Sequence, residues 1–117
     1  MTDIIIHLAS AVICFSGSCY PALVGPQTPI GEFQVQRRQV AAPGYGGDVL
    51  AFAEDDSGVF AIHRVWLRRP AERRYYRLTR GSVSERRSIT NGCVNVMPDV
   101  YSRLVDCCSR SRVVVTR

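Results

Sequence analysis

Lysine is absent from this chain, so every positive side-chain charge apart from histidine is an arginine. The formal net charge is +5, and the arginines crowd between Arg64 and Arg87 into a basic stripe. Such a stripe is either a solvated surface or a means of attracting an anionic polymer, nucleic acid or a carboxylate-rich cell-wall glycan. No recognition helix or base-stacking motif accompanies it, which argues against a nucleic-acid partner. Long apolar runs are missing as well. The segment "MTDIIIHLASAVICF" is interrupted by His7 and is too short to span a bilayer, and Asp3 stands where a secretory signal carries basic residues. Neither a membrane span nor a targeting segment is expected within these residues. Low-complexity tracts and internal repeats are also lacking. With 46% apolar and 21% charged residues the chain is a folded protein, not a disordered tail. Its 117 residues suffice for one core, so residues 1–117 are read as a single domain with at most one active site.

Histidine is scarce: only His7 and His63 occur. Cysteine is not, and its number is odd: Cys14, Cys19, Cys93, Cys107 and Cys108. In an oxidising compartment an odd number leaves a thiol unpaired, as a nucleophile requires. Cys14, Cys19, Cys107 and Cys108 are expected to be small apolar core fillers. A zinc site built from these four is disfavoured, because the adjacent pair Cys107-Cys108 does not easily send both sulfurs to one tetrahedral metal. No metal or cofactor is expected.

Short apolar or alternating runs at Ile4 to Leu8, Ala11 to Phe15 and Cys19 to Val24, with Gly17 between two serines, predict an antiparallel meander. "GPQTPIGEF" must be an ordered loop, since its prolines restrict φ and its glycines permit tight turns. Phe33 to Val40 alternates as one strand with a wet face, and "AAPGYGGD" is a flexible loop. Leu50 to Phe52 and Val59 to Ile62 are strands divided by the turn-forming "EDDSG", which leaves His63 at a strand end. Arg68 to Arg87 is read as a long arginine-rich loop with one helical turn near "PAERRYYRL". Pro98 and Asp99 suit the start of a helix whose Val100, Leu104, Val105 and Cys108 share one face. "RVVVT" closes the chain as a buried strand, so the fold is mainly β with one helix.

A cysteine nucleophile needs a base or cation to favour the thiolate, donors for the oxyanion, and room for the substrate to approach. "SITNGCVNV" offers Cys93 directly after Gly92, with the amides of both as oxyanion donors. His63, at a strand end beside an aromatic residue and a loop, is better placed as its partner than His7.

These residues carry a resemblance. "IHRVW" followed by "RRSITNGCVNV", with "TPIGEF" upstream, resembles the L,D-transpeptidase catalytic domain (the YkuD family), in a short bacterial subgroup with an Asn before the Gly-Cys. Thr90, Asn91, Gly92, Cys93, Val94 and Asn95 match the family's cysteine motif in order. Thr28, Pro29, Gly31 and Phe33 match its upstream signature. The resemblance covers essentially the whole chain, and two separated motifs in the right order make chance agreement unlikely. There are two departures. The segment between His63 and Cys93 is longer than usual by the arginine-rich stretch, and Asn91 replaces a second histidine, so base duty falls on His63 alone.

What the resemblance implies is a β-sandwich or barrel with one short helix after the cysteine and the long arginine-rich loop. It also implies a mechanism. Cys93, activated by His63, attacks the diaminopimelate carbonyl of a tetrapeptide stem and releases D-alanine. The acyl group then passes to an amine, giving a cross-link or an exchanged D-amino acid. Arg64, Arg86 and Arg87 are candidates for holding stem carboxylates, although each also reads as plain surface arginine. Thr90, Asn95 and Ser88 shape the turn and orient the imidazole, while Thr28, Pro29 and Gly31 wall the cleft. The implied partners are peptidoglycan stem peptides, with no nucleic acid and no membrane span, and a monomer is expected. The implied location is periplasmic or wall-facing, with an export signal outside these residues or delivery by a dedicated secretion system. Three other readings stay open: an L,D-carboxypeptidase, a secreted antibacterial effector of the same fold, and a non-catalytic wall-binding module.

Overall fold

The computed structural model describes residues 2–117. Alternating burial along the first two strands begins the meander that the sequence predicts. β1 (Ile4–His7), β2 (Val12–Phe15) and β3 (Ser18–Pro21) pair antiparallel in turn. Ser16 and Gly17 both take positive φ (51° and 81°), the conformation that a two-residue hairpin matched to strand twist requires. β9 (Arg112–Thr116) runs parallel to β1 and antiparallel to β4 (Gly31–Gln34), completing a sheet in the order β3-β2-β1-β9-β4.

The second sheet has the order β5-β6-β7-β8, from β5 (Gln36–Gln39), β6 (Asp48–Asp55), β7 (Gly58–Arg64) and β8 (Val94–Val96). β7 and β8 are parallel, with His63 opposite Asn95. The first five residues of β6, "DVLAF", are all buried. A strand covered on both faces reads as a continuous apolar run, not as an alternation. Leu50, Phe52, Phe60, Ile62, Val94 and Val96 face Ile4, Ile6, Ile13, Val113 and Val115 of the first sheet in one core. α3 (Pro98–Cys108) adds Val100, Tyr101, Leu104 and Cys108 to that core.

Two sequence expectations are corrected. The single strand expected over Phe33 to Val40 is two strands in different sheets: Phe33 pairs with Val113, whereas Arg37 pairs with Leu50. Buried Val35 is the crossing point, its amide bonded to the Ser111 carbonyl. Arg68 to Arg87 is not a long loop with one turn. It contains a 3₁₀ turn (Pro70–Glu72), α1 (Arg74–Arg80) and α2 (Val83–Arg86). Leu78 is the one buried residue of α1 and docks against Leu23 and Val65, while a Ser82–Glu85 capping box starts α2.

The expectation for four cysteines is also revised. Cys14 is joined to Cys19 across the β2–β3 hairpin, and Cys107 to Cys108 at the end of α3. Of the four, only Cys108 is a buried core residue. Cys93 alone is free.

After β3 the chain leaves the first sheet and Leu23 forms a bridge with Asn95 of the second. The segment 22–28 thereby lies along the cysteine segment, with bonds from Val24 N to Arg86 O and from Gln27 N to Asn91 O. Gly25 makes this approach possible, since a Cβ there would stand 2.0 Å from the Thr90 carbonyl oxygen. Gly25→Ala is therefore expected to cost about 3 kcal/mol or more, because the obstruction is backbone on both sides and cannot move alone. A denaturant midpoint close to the parent value would contradict this.

Candidate active site

Cys93 sits where the cysteine segment enters β8, and His63 is the penultimate residue of the adjacent parallel strand β7. Sheet geometry thus brings them together across 30 residues of sequence. Both line a cleft of about 570 Å³, walled by Phe60, Tyr45, Trp66, Arg69, Glu72 and Arg74 and by the segment Ile89–Cys93.

The turn before Cys93 is tied down from two sides. Thr28 Oγ1 accepts from Gly25 N at 3.1 Å and donates to Gly92 O at 2.9 Å, and Thr90 Oγ1 donates to Cys93 O at 2.7 Å. Gly92 is required here, because a Cβ would meet the Phe60 ring at 2.4 Å. The Cys93 thiol donates to the Val59 carbonyl at 3.7 Å. Burial pushes its pKa up, opposed by the Ala61 backbone and by the charge of Arg74, so the resting sulfur is a neutral thiol.

His63 is buried, with the Tyr45 ring set edge-on against it at 4.8 Å between centroids. Its Nδ1 lies 2.6 Å from the Arg64 carbonyl and its Nε2 lies 3.5 Å from Asn95 Nδ2. Burial lowers its pKa to about 4, against the bond to Arg64 O and with help from the charge of Arg74. The imidazole is therefore neutral at pH 7. No hydrogen bond joins thiol and imidazole in this state, and both are uncharged. At rest the two groups are thus a neutral imidazole and a neutral thiol, not an ion pair.

Of the residues singled out from sequence, Cys93, His63, Gly92, Asn91 and Thr90 line the cleft. Asn95 lies beneath it, fully buried. Thr28 acts through Gly92, Pro29 follows it in the same loop, and Gly31 opens β4 at a φ of 145°. Ser88 is exposed and outside the lining.

The three arginines singled out for carboxylates are not brought to the cleft. Arg64 turns away to bond Tyr45 O and Gly46 O and to pair with the buried Asp48 carboxylate at 3.0 Å. Arg86 is buried on the carbonyls of Ala11, Gly81 and Ser10. Arg87 lines a separate depression with Leu8, Val24 and Arg117. The arginines that do reach the cleft are Arg69 and Arg74, placed there by the 3₁₀ turn and α1. Nothing in a stripe of arginines distinguishes these two beforehand. Trp66 had a signal, its place just after His63 in "IHRVW", whereas Tyr45 had only its flanking glycines.

No protein-family model and no curated protein sequence matches the chain. Solved structures do match it in fold. L,D-transpeptidase 3 from Mycobacterium tuberculosis superposes with a TM-score of 0.69 at 10% identity, over 99% of this chain and 61% of that one. L,D-transpeptidase 1 from the same organism gives 0.59 at 17% identity, over 99% and 59%. The helical cell shape determining protein Pgp2 from Campylobacter jejuni gives 0.60 at 12%, over 97% and 46%. The chain spans about 60% of the length of the two transpeptidases and less than half of Pgp2. Among the described residues no helix is long and apolar enough to cross a membrane. At these identities the likeness establishes architecture alone, and that architecture, two sheets with a helix after the cysteine, is the L,D-transpeptidase fold.

Proposed function

We propose that residues 1–117 act as one catalytic domain, a cysteine acyltransferase on peptidoglycan stem peptides. The observation that carries this reading is the single free thiol, Cys93, sharing a cleft with neutral His63 on an L,D-transpeptidase fold. The Cys93 sulfur attacks the diaminopimelate carbonyl of a tetrapeptide stem while its proton passes to His63. The tetrahedral oxyanion is held by the amides of Gly92 and Cys93. As the carbon–nitrogen bond breaks, His63 returns the proton to the departing D-alanine amine, leaving a thioester on Cys93. An amine from a second stem or a free D-amino acid then takes the acyl group, and water in its place makes the protein an L,D-carboxypeptidase.

Arg69 is the guanidinium group that stem carboxylates meet in this cleft, Arg74 being paired with Glu72 and bonded to Asn95. A periplasmic or wall-facing location is part of the proposal. The Cys14–Cys19 and Cys107–Cys108 disulfides support it, since such bonds persist in oxidising compartments. An antibacterial effector would use the same chemistry.

The test is intact mass of the protein mixed with a disaccharide-tetrapeptide, with soluble products followed in time. An acyl adduct with release of D-alanine is expected, and a cross-linked dimer, an exchanged stem or a tripeptide identifies the acceptor. A folded protein that forms no adduct and releases no D-alanine overturns the reading in favour of a wall-binding module.

A further inference from the structure

Asn95 has no side-chain exposure, and its amide orientation is dictated by its neighbours. Two donors converge on one atom of that amide, Trp66 N at 3.0 Å and Arg74 Nη1 at 3.1 Å. Only an oxygen accepts from both, so this atom is Oδ1 and the other is Nδ2. Nδ2 has hydrogens and no free lone pair, and it lies 3.5 Å from His63 Nε2. Nε2 must then present its lone pair, which leaves the ring proton on Nδ1, 2.6 Å from the Arg64 carbonyl that accepts it. The Arg64 carbonyl, which only accepts, calls for the same ring proton, so the tautomer is held from both nitrogens.

Arg74 is itself held in place. Its Nε is 2.9 Å from Glu72 Oε1, its side chain is 12% exposed, and its guanidinium lies over the Trp66 ring at 5.2 Å. It is the first residue of α1, the helix anchored by Leu78. The arginine-rich segment thus reaches Asn95 through this side chain.

We propose that Arg74 is a positioning residue: with the Trp66 amide it fixes the Asn95 side chain, which together with the Arg64 carbonyl favours the Nδ1-protonated form of His63 and keeps Nε2 as its basic nitrogen. This rests on the reading of His63 as the base for Cys93. The same network opposes a proton on Nε2, because Asn95 has only donors to offer it and Arg74 adds positive charge nearby. It therefore holds the imidazole neutral at rest, in agreement with the depressed His63 pKa.

The test reads the His63 tautomer by long-range proton–nitrogen correlation at pH 7.5, with His7→Gln to assign the two rings, and in parallel the rate of Cys93 alkylation by iodoacetamide. The parent protein is expected to show the Nδ1–H form alone. In Arg74→Met, which keeps the aliphatic stem against Trp66, the Asn95 amide keeps only the Trp66 N donor of its two, and an admixture of the second tautomer is expected. Loss of the nearby charge should also slow alkylation about threefold or more. Arg74→Lys, which restores a charged donor, should bring both readouts back toward the parent.

A folded Arg74→Met protein with the parental tautomer and alkylation rate overturns the proposal. So does an Nε2–H tautomer in the parent protein, a result that needs no variant to fold. Neither readout uses a peptidoglycan substrate. A protein that releases no D-alanine yet shows the tautomer change would refute the enzymatic reading and leave the positioning role standing.

Discussion

Cys93→Ala is expected to abolish both acyl-adduct formation and D-alanine release while leaving the fold intact. The loss should be complete because no other sulfur can substitute: Cys14, Cys19, Cys107 and Cys108 are all consumed in disulfides. The structural cost should be small. The thiol makes one long bond, 3.7 Å to the Val59 carbonyl, at the wall of an open cleft where water can replace it. A stability change within about 1 kcal/mol is expected, measured as a denaturant midpoint beside the mass spectrum of the reaction. Persistent D-alanine release from a folded Cys93→Ala protein would remove Cys93 from the mechanism. In the parent, burial keeps the sulfur protonated at neutral pH, so its alkylation rate should still be climbing at pH 9 and not level off near pH 7.

His63→Gln is the second large effect. Glutamine can donate to the Arg64 carbonyl and accept from Asn95, so it fills the site without offering a base. Loss of a positioned acid–base group costs about 10²- to 10⁴-fold in kcat/KM. The same substitution has a stability signature whose sign follows from burial. His63 titrates at about 4 in the folded protein, below the ordinary 6.5. Between these values the unfolded chain takes up a proton that the folded one refuses, so stability falls as pH falls from 6.5 to about 4 and the contribution is fully present above 6.5. The total is about 3 kcal/mol, from 1.4 kcal/mol for each unit of pKa difference. In His63→Gln this dependence should vanish, which acid titration of the denaturant midpoint will check. Equal acid sensitivity in parent and variant would mean that His63 is not held neutral by its surroundings.

Periodicity was most informative where one face of an element meets the core. The helix beginning at Pro98 is legible for that reason, whereas the hairpin at Ser16–Gly17 is marked by a glycine between two serines and the closing strand Arg112–Thr116 by its run of valines. It was silent at Val35. Residues on both sides of it are extended and alternate alike, so their assignment to different sheets depends on partners 80 residues away for Phe33 and 13 away for Arg37. α1 is legible only as one turn near "PAERRYYRL", because a single buried leucine gives no helical period. Cys108 fits the core-filler expectation, but the pairing of Cys14 with Cys19 depends on the hairpin bringing them opposite each other.

The chemistry of the site was confined by scarcity. Two histidines and an odd number of cysteines limited the candidates, and the resemblance carried by "TPIGEF", "IHRVW" and "SITNGCVNV" pointed to His63 and Cys93 among them. Which arginine serves them was decided only in three dimensions. Arg64, Arg74 and Arg86 are chemically the same side chain. Arg64 is bound to Asp48, Arg86 to three carbonyls, and Arg74 to the amide that orients His63. A side chain's role follows from which acceptors lie within about 3 Å of it. That distance is set by how β7, β8 and α1 pack, not by neighbours along the chain.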